Sequence, residues 1–92
     1  MEITDTTERI EACLLTVQKI LDLLTARADH KTAFDLAKAQ YAASVRTSWP
    51  ANLVSLTDVL ERVAGDDKVM LEPSERDEAR EAVATLREIA NQ

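Results

Sequence analysis

The 92-residue chain holds one glycine, two prolines, one cysteine, one histidine and only three aromatic residues, Phe34, Tyr41 and Trp49. Each scarcity excludes something. Hairpin corners call for Gly, Asn-Gly or Asp-Gly, so a fold of many short strands has too few places to turn. A lone cysteine closes no internal disulfide. A lone glycine leaves no phosphate-cradling loop and no dinucleotide fingerprint. His30 has no second histidine, no nearby cysteine and no Glu-x-x-His partner, whereas a metal site takes three or four ligands. Asp66, Asp67 and Glu72 lack the alternating oxygen ligands and central glycine of a calcium loop. No apolar run approaches the ~20 residues that span a bilayer. The opening Met1-Glu2-Ile3-Thr4-Asp5 has neither the basic nor the apolar region of a secretion signal. The expectation is a cytoplasmic, non-enzymatic protein without cofactor or metal.

What is present is 46% apolar residues, mostly Leu, Ala and Val. That suffices for one core in one domain, residues 1–92, and not for two. With so few turn formers the fold class is all-α, a small bundle of about four helices joined by short loops. The net charge of −6 disfavours attraction to nucleic acid or to an anionic membrane. The imbalance is local: residues 1–57 carry seven acids and six bases, net −1, and residues 58–92 carry ten and five, net −5.

The spine is residues 5–28. Ile10, Leu14, Val17, Leu21, Leu24 and Ala28 recur at alternating spacings of four and three, with Cys13 and Ile20 alongside, forming one broad apolar arc of a helix. Asp5 with Glu8 three residues on resembles a capping pair at its start. A turn or break follows near His30, because continuing the phase would place Lys31, Asp35 and Lys38 in the core; with no Gly or Pro to enforce it, one helix running on with a shifted face is the alternative. The second helix covers residues 31–48 with Phe34, Ala37, Tyr41 and Val45 as its inner row. The third runs over residues 50–64, opened by Pro50 in its first turn, with Trp49, Leu53, Leu56, Leu60 and Val63 inward and Gly65 as a left-handed terminator. Residues 66–73 form a linker whose Val69-Met70-Leu71 plugs the end of the bundle. Ser74 and Asp77 cap a fourth helix with Ala79, Ala82, Val83, Leu86, Ile89 and Ala90 inward.

Two sets of residues are candidates for partner contact. Leu15 lies on the polar side of the first helix, Leu23 at its stripe's edge, and Leu36 belongs to no row. Four helices, two of them Ala-rich, leave part of so long a spine wet, so a homodimer using Leu15, Leu23 or Leu36 is expected. On the fourth helix Arg76, Arg80 and Arg87 form one line and Asp77, Glu81 and Glu88 the next, a segregated charge pattern that reads as a solvated face or as a docking surface. The function these features suggest is that of a small acidic, non-enzymatic interaction or adaptor protein that acts through its helix surfaces and self-associates. The alternatives are an acidic inhibitor or antitoxin-like factor occluding a basic partner, and a dimeric transcription regulator. Direct DNA contact is disfavoured because residues 50–64 offer Arg62 against Asp58 and Glu61.

Overall fold

The computed structural model describes the backbone of residues 2–91 and the side chains of residues 6–91. It is all-helical among these residues: α1 Glu2–Ala26, α2 His30–Ala43, a single 3-10 turn Arg46–Ser48, α3 Leu53–Gly65 and α4 Pro73–Ala90. Polar contacts give the directions. Gln40 meets Gln18 and Arg46 meets Glu11, so α2 runs against α1. Glu61 meets Arg87 and Ala64 meets Arg80, so α4 runs against α3. Arg9 to Glu88, Lys19 to Glu78 and Arg27 to Glu75 close the ring between α1 and α4. The result is an up-down-up-down bundle. Among the described residues no helix is long and apolar enough to cross a membrane.

α1 is the longest element, about 37 Å at 1.5 Å per residue, and runs the length of a body 40 × 22 × 17 Å. Its buried line is Ile10, Cys13, Val17, Ile20 and Leu24, whereas Leu14 and Leu21 are half-covered and Ala28 is exposed. The arc is therefore the expected one, centred nearer Cys13 and Ile20. The helix begins before Asp5, which lies inside it and is not its cap; the Asp5 side chain is outside the described set. It ends by a left-handed turn without glycine. Ala28 has φ 63°, its N–H donates to Thr25 O, and the Asp29 N–H donates to Leu24 O. Those two bonds are the Schellman pattern that satisfies the last free carbonyls of a helix.

The second helix differs most from expectation. Ala33, Leu36, Ala39 and Ala43 face the core, and Phe34, Tyr41 and Val45 are exposed. Two apolar rows coexist on this segment, and positions two apart sit about 200° apart around a helix, so burying Leu36 turns Phe34 outward. The row of small residues lets α2 lie close against α1 and α3. The helix stops at Ala43, and the chain crosses to α3 through a corner held by side chains. Trp49 Nε1 donates to Ala43 O at 2.7 Å, and Asn52 Nδ2 donates to both Ala42 O and Val45 O at 3.0 Å. The Trp49–Pro50 peptide is cis. Pro50 thus belongs to the corner, and α3 starts three residues later.

In α3, Leu53, Leu56, Leu60 and Val63 are buried as expected, with Trp49 and Val59 packed beside them. Gly65 is not left-handed. The end of α3 is satisfied from α4 instead: Arg76 Nη1 donates to Ala64 O at 3.0 Å and Asp66 O at 2.9 Å. The same guanidinium donates to Leu71 O and Val69 O, and Arg27 donates to Met70 O. Two arginines therefore fasten the linker, whose Val69 and Leu71 are buried while Met70 is exposed. α4 begins two residues earlier than the expected Ser74 cap implies, with Glu72 at the cap and Pro73 in the first turn. The Glu72 N–H donates to Glu75 Oε1 at 2.7 Å. Ala79, Ala82, Val83, Leu86 and Ile89 are buried, and Ala90 is exposed.

Candidate interaction surface

The expected docking residues scatter. Leu15, 73% exposed, stands on α1 along its groove with α4. Leu23 is half-buried. Leu36 is fully buried in the core beneath α2, so it is unavailable to a second chain and the expectation that it is unclaimed is corrected. The charge rows of α4 are largely engaged within the chain. Arg76 is spent on four backbone carbonyls. Arg87 grips Glu61 with both guanidinium nitrogens, holding that carboxyl below and the guanidinium above their ordinary ranges. Glu88 pairs with Arg9 at 3.2 Å and Asp77 with Arg80 at 3.6 Å. Glu81 lines a groove between α1 and α4 with Leu15 and Lys19. The apparent segregation along α4 comes from reading one helix alone, since the opposite charges for Arg87 and Glu88 lie on its neighbours.

That groove has Cys13 in its floor. The Cys13 Sγ lies 3.8 Å from Ala82 O, and burial pushes the thiol's pKa up against a smaller opposing pull from Arg9. A protonated, covered thiol is a poor nucleophile. His30 is exposed at the first position of α2. Among the described residues, no three His, Cys, Asp or Glu side chains gather as metal ligands would.

A different surface stands out on the opposite side of α1. Phe34 is 68% and Tyr41 82% exposed. They are seven residues apart on one helix and so lie along one line, with Ala37 between them. Beside them a shallow groove is lined by Leu14, Ala37, Gln40, Tyr41 and Ser44, and Gln40 Nε2 donates to Gln18 Oε1 of α1 at 2.9 Å. Trp49, the third aromatic, is committed within the fold: it is half-buried at the α2–α3 corner, with the Arg46 guanidinium 5.4 Å above its ring. Both remaining aromatics of the chain are therefore presented together. The sequence marks this row clearly but gives it to the core. The signal that could have reassigned it is the competing row Ala33, Leu36, Ala39 and Ala43, which is the only one to bring Leu36 inward.

The chain matches no protein-family model, and no curated protein or solved structure is significantly similar to it.

Proposed function

We propose that this chain is a small non-enzymatic interaction protein that acts by presenting the outer α1–α2 face to a protein partner, with Phe34 and Tyr41 as the anchors. The observation carrying this reading is the joint exposure of these two rings on one line of α2. Large aromatic side chains bury 150–250 Å² each and dominate interface energetics when covered. A chain of three aromatics that leaves two in water on one face offers most of its anchoring capacity to something outside itself. The engagement of Arg76, Arg87 and Glu88 within the fold supports this face over α4.

The test replaces both rings where they are exposed. The variant Phe34→Ser/Tyr41→Ser, its helix content checked by circular dichroism, substitutes for the natural chain in its own cells, which are then fixed with formaldehyde. The natural chain is expected in cross-linked species above its 10.2 kDa mass, and the variant at the free mass. Equal cross-linking of the two chains refutes the face.

A further inference from the structure

We propose that the occupant of this face is a second copy of the chain, packed about a two-fold axis that runs between the two α2 helices, level with the midpoint of Ala37 and Lys38. The proposal rests on the reading of the α1–α2 face as the docking surface and names its partner.

The spacing is self-complementary. Phe34 and Tyr41 lie equally far on either side of the midpoint between Ala37 and Lys38, so two α2 helices packed antiparallel about that point set each Phe34 against the partner's Tyr41. The two aromatic pairs are then about 10 Å apart along the helix axis, seven residues at 1.5 Å each. Such reciprocity is what a two-fold interface requires, since the same patch must fit itself. Ala37 next to the axis has no side chain beyond Cβ, so the helices close until the rings meet. Asp35 and Lys38 lie on one flank of α2, and the same operation brings each Asp35 within reach of the partner's Lys38, which offsets the approach of the two Lys38 side chains across the axis.

Area and charge agree. At their observed exposures the two rings offer about 300 Å² per copy, on the scale of 150–250 Å² for a whole aromatic side chain. Two copies supply about 600 Å², and the exposed Ser44 and Val45 with the half-covered Leu14 and Gln40 add to it, towards the roughly 1,200 Å² at which specific interfaces begin. Residues 1–57 carry a net −1, so a second copy meets little accumulated repulsion there, whereas residues 58–92 carry −5 and repel a copy of themselves.

Sedimentation equilibrium of the full chain through the micromolar range decides the matter. The mass is expected to climb from 10.2 kDa towards twice that value. The Phe34→Ser/Tyr41→Ser variant should stay at the monomer mass, and Val54→Ser, equally conservative on an exposed position of α3, should follow the natural chain. Lys38→Cys, next to the axis, should oxidise to a linked pair, and Asp58→Cys should not. A mass fixed at 10.2 kDa overturns the second copy while leaving the face to a different protein, which the fixation experiment reads separately. A mass climbing past twice the monomer, or a Lys38→Cys chain that does not link, overturns the two-fold arrangement.

Discussion

The rotation of α2 sets two neighbouring residues in opposite environments, and substituting each by alanine reads it directly. Leu36 is fully buried. Leu36→Ala removes three carbons at about 0.8 kcal/mol each and leaves a cavity, for a total of about 3 kcal/mol. A domain of this size has on the order of 5–14 kcal/mol in all, so this one change removes a large share and lowers Tm by about 12–24 °C. Phe34 is 68% exposed. Its covered third, about 60 Å², contributes about 1.5 kcal/mol at 25 cal/mol/Å², and alanine's better helix propensity offsets about 0.5, leaving about 1 kcal/mol. Urea unfolding followed by circular dichroism, at a protein concentration too low for association, measures both. A loss at Phe34 equal to or greater than that at Leu36 would place the aromatic row inside and refute the face on which the functional reading stands.

Three further outcomes follow from other contacts. Ala28→Gly should stabilise the chain by about 0.5–1 kcal/mol, because a left-handed alanine costs about 1–2 kcal/mol and glycine's unfolded-state entropy cancels part of the gain; thermal unfolding checks it, and a destabilised variant contradicts the Schellman turn. The Glu75 carboxyl is held down from 4.5 to about 2, first by the hydrogen bonds from Arg27 and then by the Glu72 amide. Its folded value lies below the unfolded one, so its contribution is complete above pH 4.5 and is lost as the pH falls towards 2. The stability gap between the natural chain and Glu75→Gln should close over that window, and a gap independent of pH would dissociate Glu75 from Arg27. Arg76→Met should free the linker it fastens through four carbonyls, seen as faster amide exchange at residues 66–72 and faster tryptic cleavage after Lys68, with unchanged protection of α1.

Periodicity made the fold legible. The four-and-three spacing of α1 and the row Leu53, Leu56, Leu60, Val63 of α3 both describe buried faces, because one apolar row in each clearly outweighs the alternatives. The α2 segment carries two such rows, and the heavier one misleads: in a crowded bundle, small residues at the inner face allow close helix approach, and the large ones are left outside. Helix ends were less legible for a related reason. Ala28 adopts a conformation for which glycine is the usual signal, and the end of α3 is closed by arginines of α4, a partnership of residues 12 and 16 positions away that local capping rules do not contain. Pro73 with Glu75 did carry a local signal, proline in the first turn and an acid at the third position, and the Ser74 reading overlooked it. The charge rows of α4 are real as rows, yet their meaning depends on Glu61 and Arg9 of neighbouring helices.

The most direct measurement places a photoreactive phenylalanine analogue, one position at a time, at residues 34, 41, 58 and 81 of the chain in its native cells. All four positions are exposed, so none of the substitutions disturbs the core. Illumination should give adducts from positions 34 and 41 and none from positions 58 and 81, with the adduct from position 34 at twice the 10.2 kDa chain mass. Adducts confined to positions 58 and 81, or an even yield across all four, would contradict the claim that the α1–α2 face is where this protein works.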